Sequence, residues 1–244
     1  MMSSDNRRRL LWTSLVIAMV LPTVVTWIYF VLLHGGDPRI QQVTYGVGKS
    51  VQFLLPIAVV AILFRQELKW PRSGHQGIEI GVGFGFLVCG LIVTAYFFTI
   101  SNQPIEARLI DAASEKVKSM GIATVARFWV VGVFYALVHS FLEEYYWRWF
   151  VYGQGRKFWS PGLSGVISSL GFSAHHVLLL GFFFGFDEWR TYAFSLAIGI
   201  GGGFWCWWYQ RTGNLTAVWV SHGIVDVGIF GLGYWLLMSA GAIG

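Results

Sequence analysis

Val138-His-Ser-Phe-Leu-Glu-Glu-Tyr-Tyr-Trp-Arg-Trp-Phe150 is an apolar run interrupted by Glu143, Glu144 and Arg148. The run around it is long enough to cross a bilayer, and an ionised side chain at membrane depth costs about 3 kcal/mol. Such groups persist where they pair, line a wet cavity or do chemistry. Glu144 and Arg148 stand four apart, on one helix face and within ion-pair reach. Glu143 points about a quarter-turn away and is left without that partner. The pattern predicts that Arg148 holds Glu144 and the helix end while Glu143 is free to act as a base. A charge cluster that only glues two helices together is the plainer alternative.

Hydrophobic residues make up 55% of the 244, and charged ones only 12%, a balance outside that of ordinary soluble domains. Spread over the whole length, it predicts an all-α fold: a polytopic transmembrane helical bundle of about seven spans with no separate soluble domain. The formal net charge of +5 then reads as loop topology, and no nucleic-acid partner is expected. Cys89 and Cys206 fall in separate apolar runs without C-x-x-C spacing, which offers neither a metal knuckle nor a disulfide framework. Arg7, Arg8 and Arg9 precede an apolar run from Leu10 to Leu33, longer than a signal-peptide core, which reads as a retained first helix.

A second span runs from about Thr44 to Phe64 and holds Lys49, which either snorkels or faces the bundle interior. The third, Ile80 to Ile100, has Gly81 and Gly85 in helix-packing register. Ser101 to Gly121 turns polar, but Ile105, Leu109, Ala113, Val117 and Met120 recur at helical spacing, as in an amphipathic helix on the membrane surface. The fourth span goes from about Ile122 to Val151, with Gly153, Gly155 and Pro161 forming the turn after it. A fifth, Gly162 to Phe186, carries His175 and His176. Thr191 to Tyr209 is the sixth, with Gly199 and Gly203 in packing register, and Leu215 to about Met238, with His222 and Asp226, is the seventh. The N-terminal arginines, the 65–79 loop, the 153–161 loop and Arg211 fall on one face, which the positive-inside rule makes cytoplasmic together with the N-terminus. Trp147, Trp149, Trp205, Trp207 and Trp208 would form a lipid-anchoring belt at that interface.

With this topology Glu143 and His222 lie roughly 12 Å in from the same face, and His176 about 20 Å, at 1.5 Å per residue. A later start of the fifth helix, or a loop dipping after Pro161, would bring His176 level. Three spans then converge. A glutamate flanked by imidazoles can hold and deprotonate water, with the histidines on the substrate carbonyl or the resulting oxyanion. Glu143, His176 and His222 can equally hold a divalent metal such as zinc, and these residues alone leave open whether any cofactor is used.

Three short motifs occur in order: Glu143-Glu144-x-x-x-Arg148, Phe172-x-x-x-His176 and His222-x-x-x-Asp226. Together they resemble those of the intramembrane proteases that group CAAX prenyl endopeptidases with bacteriocin-processing and immunity proteins, the CPBP or Abi family. The resemblance covers roughly Ala136 to Gly228. It implies an intramembrane endopeptidase, glutamic or metallo, that hydrolyses membrane-associated or secreted peptides in a bacterial plasma membrane, without implying that they are prenylated or otherwise lipidated. Residues 122–244 would form the catalytic core, continuous with membrane helices and an interfacial linker in residues 1–121. Under the same resemblance Glu143 activates water, His176 and His222 are catalytic, Asp226 assists at the tetrahedral oxygen, and Glu144 and Arg148 give support. Asp226 stands where well-known prenyl proteases have asparagine, so it must be protonated, orient His222 or bind a metal. His175, next to His176, leaves the register of the second motif open.

Gly162-Leu163-Ser164-Gly165 also matches the G-x-S-G around a rhomboid serine nucleophile, which would pair Ser164 with His222, yet Pro161 to Gly165 reads equally well as a helix start. Aspartyl proteolysis needs two aspartates inside spans, and only Asp226 qualifies. The zincin H-E-x-x-H is absent from the sequence. Outside the enzymes, a transporter with a buried Glu/His cluster would predict repeated halves, and a non-catalytic membrane scaffold would predict a lost motif residue.

Overall fold

The structure is a computed structural model that describes residues 3–63 and 74–244. These residues form helices α1 (Ser4–Leu32), α2 (Pro38–Ala61), α3 (Ile78–Thr99), α4 (Pro104–Ser119), α5 (Val125–Gly155), α6 (Pro161–Phe184), α7 (Trp189–Thr212) and α8 (Leu215–Ser239), with no strand among the described residues. The helix starts are written locally. Ser3, Asp37, Thr124, Ser160 and Asn214 each accept a hydrogen bond from a backbone N–H of the first turn, satisfying donors that the helix itself leaves over. Pro38 and Pro161 open their helices where a missing N–H costs nothing.

Six helices, α1, α2, α3, α5, α6 and α8, are long and apolar enough to cross a membrane. The sixth expected span, α7, has the same 24 residues as α6 but is diluted by tryptophan, tyrosine and glycine. It packs against α6 and carries the chain back to the start of α8, so the bundle has seven long helices of which six are apolar enough by composition. Outward-facing apolar side chains such as Phe98 (84% exposed) and Val130 (69%) would be costly in water and suit lipid. The chain is an integral membrane protein.

The turns define two ends. At one, Trp12 meets Phe158 and Trp159 edge-on, the Trp208 indole N–H donates to Gly77 O, and Asn214 Nδ2 donates to Gly74 O and Gln76 O. This end carries Arg7 to Arg9, Arg156, Lys157 and Arg211; the basic residues expected at Arg65, Lys69 and Arg72 lie outside the described residues. The opposite end is covered by α4, the surface helix that the spacing of Ile105 to Met120 predicts. Arg108 donates to Phe184 O at 3.0 Å, Tyr96 donates to Glu106, and Lys116 Nζ stands 3.9 Å above the Tyr29 ring.

Two packing expectations hold. Gly81 and Gly85 let α3 approach the backbone of α8 at Ala217 and Ser221, and Gly199 brings α7 onto Ser173 of α6. Two others are corrected. First, α5 does not stop at Val151. Gly153 to Gly155 remain helical, with Gly155 packed beneath Trp159; close packing rewards a residue without a side chain and outweighs the turn preference. Second, Trp147, Trp149 and Trp205 are buried at 0%, 8% and 5% exposure and belong to the central core. Of these five tryptophans, only Trp207 is exposed.

Candidate active site

The long α5 is not a uniform helix. Its turns at Tyr135–His139 and Tyr145–Tyr152 are π-helical, and between them Ser140–Glu144 is a single α-helical stretch. Wide turns of this kind insert an extra residue and are frequent at functional sites. Here they flank the paired carboxylates.

Glu144 and Arg148 meet as their spacing predicts, with the Arg148 guanidinium donating to Glu144 Oε1 at 2.8 Å. The same oxygen lies 2.7 Å from His222 Nδ1, and since a carboxylate only accepts, the His222 ring carries its proton on Nδ1. Arg148 is held further by Phe172 and Trp205, whose rings lie 4.7 and 4.9 Å from its guanidinium carbon, and by a 3.5 Å hydrogen bond to Gly202 O. A Cβ at Gly202 would crowd that guanidinium and Phe172. Arg148 therefore ties α5 to α6 and α7 in mid-bundle, and through Glu144 to α8; it does not hold a helix end.

Glu143 is 3% exposed and faces three imidazoles. Its Oε1 lies 3.8 Å from His139 Nε2 and 3.6 Å from His175 Nε2, and its Oε2 lies 3.9 Å from His222 Nε2. These separations are too long for direct hydrogen bonds and suit a bridging polar atom. His222 stacks on Trp205 at 4.6 Å, and its Nε2 is 3.8 Å from Asp226 Oδ1, as their shared helix face predicts. Close approach of α8 to α5 depends on Gly223, where a Cβ would collide with Ala136 O.

The two histidines of the second motif face different neighbours. The His175 ring faces Glu143, whereas His176 Nδ1 lies 2.8 Å from Phe172 O, the carbonyl one turn back, with its ring beside that of His175 at 4.2 Å. Helix α6 starts at Pro161. Because α5 reaches Gly155, Glu143 stands about 18 Å and His175 about 21 Å from their helix ends. His139, one turn before Glu143, was not among the residues singled out in the sequence; its signal is H-x-x-x-E on one helix face. Ser164 sits on the first turns of α6, and its buried hydroxyl has no hydrogen-bond partner among the described residues, His222 included. The serine constellation is not assembled. Nor do Glu143, His176 and His222 come together as metal ligands: among the described residues no three His, Cys, Asp or Glu side chains are grouped to hold an ion.

Beside the carboxylates, α2 and α5 line a half-open cavity of about 630 Å³. Its wall is apolar except for Tyr45, Lys49, Ser50, Tyr135, His139 and Tyr145. Lys49 therefore faces the bundle interior, its Nζ about 5.5 Å from the Phe53 ring.

The family model described as type II CAAX prenyl endopeptidase Rce1-like matches residues 125–228, from the first residue of α5 to just past Asp226. The resemblance carried by the three motifs is thus borne out over the segment that contains them all. The match supports a hydrolase of the CAAX-protease type, acting in the membrane on a peptide. No curated protein and no solved structure matches the chain.

Proposed function

We propose that the chain is an intramembrane endopeptidase in which Glu143 activates the attacking water. The observation that carries this is the contrast between the two neighbouring carboxylates. Glu144 is neutralised by Arg148 and His222, while Glu143 has three ring nitrogens at 3.6 to 3.9 Å and no cation of its own at hydrogen-bonding distance among the described residues. Glu143 takes a proton from water held between it and His175, and the water oxygen attacks the scissile carbonyl carbon. His222, protonated on both nitrogens, offers Nε2–H to the developing oxyanion, as an oxyanion hole does. Glu144 fixes the His222 ring through Nδ1, and Asp226 orients it from the other side. Because the donor set does not converge on an ion, no step is routed through a metal.

Residues 122–244 supply all these groups; α2, within residues 1–121, supplies the facing wall of the cavity through which a membrane-associated or secreted peptide reaches them. Lipidation of the substrate is not required by this reading. The basic end is taken as cytoplasmic and the membrane as a bacterial plasma membrane.

The test is a map of protein termini in membranes from cells expressing the native chain or Glu143→Gln at matched levels. Termini found only with the native chain are expected, with cleavage reduced at least about 1000-fold in the variant. Identical maps from both would remove the protease reading and favour a scaffold or transporter. Cleavage that survives Glu143→Gln but is lost in Ser164→Ala would transfer the role to the serine.

A further inference from the structure

Glu143 can take a proton from water, but peptide hydrolysis is complete only when a proton reaches the departing nitrogen. An amine leaves a tetrahedral intermediate as a neutral molecule, so the C–N bond breaks only as nitrogen gains a proton. Glu143 can return that proton directly or through a group standing between it and the space that the substrate occupies.

His139 is the one imidazole around Glu143 that also lines the 630 Å³ cavity; His175 and His222 lie on the other flanks, stacked on Trp147 and Trp205. Its Nε2 is buried, has no hydrogen-bond partner among the described residues, and lies 3.8 Å from Glu143 Oε1. Its ring is braced from the cavity side by Tyr135 and Phe53, at 4.6 and 6.0 Å between centroids, and it belongs to none of the three motifs. A buried imidazole nitrogen without a partner is costly unless something arrives to use it. Catalytic hydrogen bonds are often long before substrate binds and tighten afterwards.

We propose that His139 is a further catalytic residue, relaying the proton from Glu143 to the leaving amine on the cavity side. A neutral imidazole accepts at one ring nitrogen and donates from the other. As the C–N bond breaks, the Glu143 carboxylic acid gives its proton to His139 Nε2. The opposite ring nitrogen gives its own proton to the departing amine, whose lone pair receives it. Glu143 returns to carboxylate, His139 returns to neutral with its tautomer exchanged, and the acyl product keeps the water oxygen. No co-reactant is needed. This role rests on the endopeptidase reading.

The experiment compares a synthetic peptide spanning a mapped cleavage site with its depsipeptide, in which the scissile N–H is replaced by oxygen. An alkoxide leaves without prior protonation, so the relay matters for the amide and little for the ester. The expected result for purified His139→Asn is a loss of at least about 100-fold in kcat on the amide, the usual scale of general acid catalysis, with ester turnover within about threefold of native. His175→Asn, which disturbs water activation, is expected to lose both. His139→Gln is measured in parallel, and a native-like melting curve qualifies either variant. Equal loss on amide and ester in a variant that melts like the native chain would overturn the relay. Failure of both variants to fold would assign His139 to packing and overturn it too. Failure of the native chain to cleave either probe would bring down the endopeptidase reading itself, and the relay with it.

Discussion

Glu144 Oε1 receives two donors, Arg148 at 2.8 Å and His222 Nδ1 at 2.7 Å, in a place where all three side chains are buried. Removing one partner of such a set leaves a charge without compensation. Arg148→Met is accordingly expected to cost about 3–5 kcal/mol, measured as a lowered melting temperature in detergent, and to lower activity because His222 loses its fixed anchor. Much of this was legible in the sequence: the i, i+4 spacing alone pairs Glu144 with Arg148 and leaves Glu143 apart. Two residues were not. His139 sits in a run that reads as uninterrupted membrane span, and only its distance to Glu143 distinguishes it from a packing histidine. His175 and His176 differ by about 100° around α6, and a sequence without known helix ends cannot say which of the two faces inward.

Helix α4 shows what an element can add outside the site. It is amphipathic, lies across the ends of α1, α3 and α6, and places Lys116 Nζ within 3.9 Å of Tyr29 and 5.1 Å of Phe30. Burial pulls the Lys116 amine down from 10.5 to about 8, with Glu115 opposing the shift. Below pH 8 the amine is protonated and unreactive; above it, the neutral nucleophile dominates. Acetylation of Lys116 followed by mass spectrometry is therefore expected to rise with a midpoint near pH 8, and a midpoint at the ordinary lysine value would contradict its seat among the rings. The periodicity of Ile105 to Met120 made α4 readable in advance. The end of α5 was not readable, because whether Gly153 and Gly155 terminate a helix or pack within it depends on Trp159, a neighbour supplied by the tertiary fold. The three buried tryptophans were misplaced for the same reason: the indole suits an interface and a core equally, and composition does not distinguish them.

For the molecule as a whole, the asymmetry of its ends sets an orientation that can be measured. In a background with Cys89 and Cys206 replaced by alanine, Lys157→Cys at the basic end is expected to react with an impermeant maleimide only after the membrane is opened. Lys118→Cys on α4 is expected to react in intact cells; the reverse pattern would invert the topology. The 31 residues of α5 have a further consequence. At 1.5 Å per residue they span about 45 Å, against a hydrocarbon layer of about 30 Å. Such a helix meets the mismatch by tilting, and the tilt grows as the bilayer thins. Glu143 rides on that helix while His175 and His222 ride on the shorter α6 and α8, so hydrophobic thickness enters the geometry of the site directly. Under the endopeptidase reading, turnover in vesicles of graded acyl-chain length is expected to pass through an optimum, with the lipid composition of the surrounding membrane setting the rate.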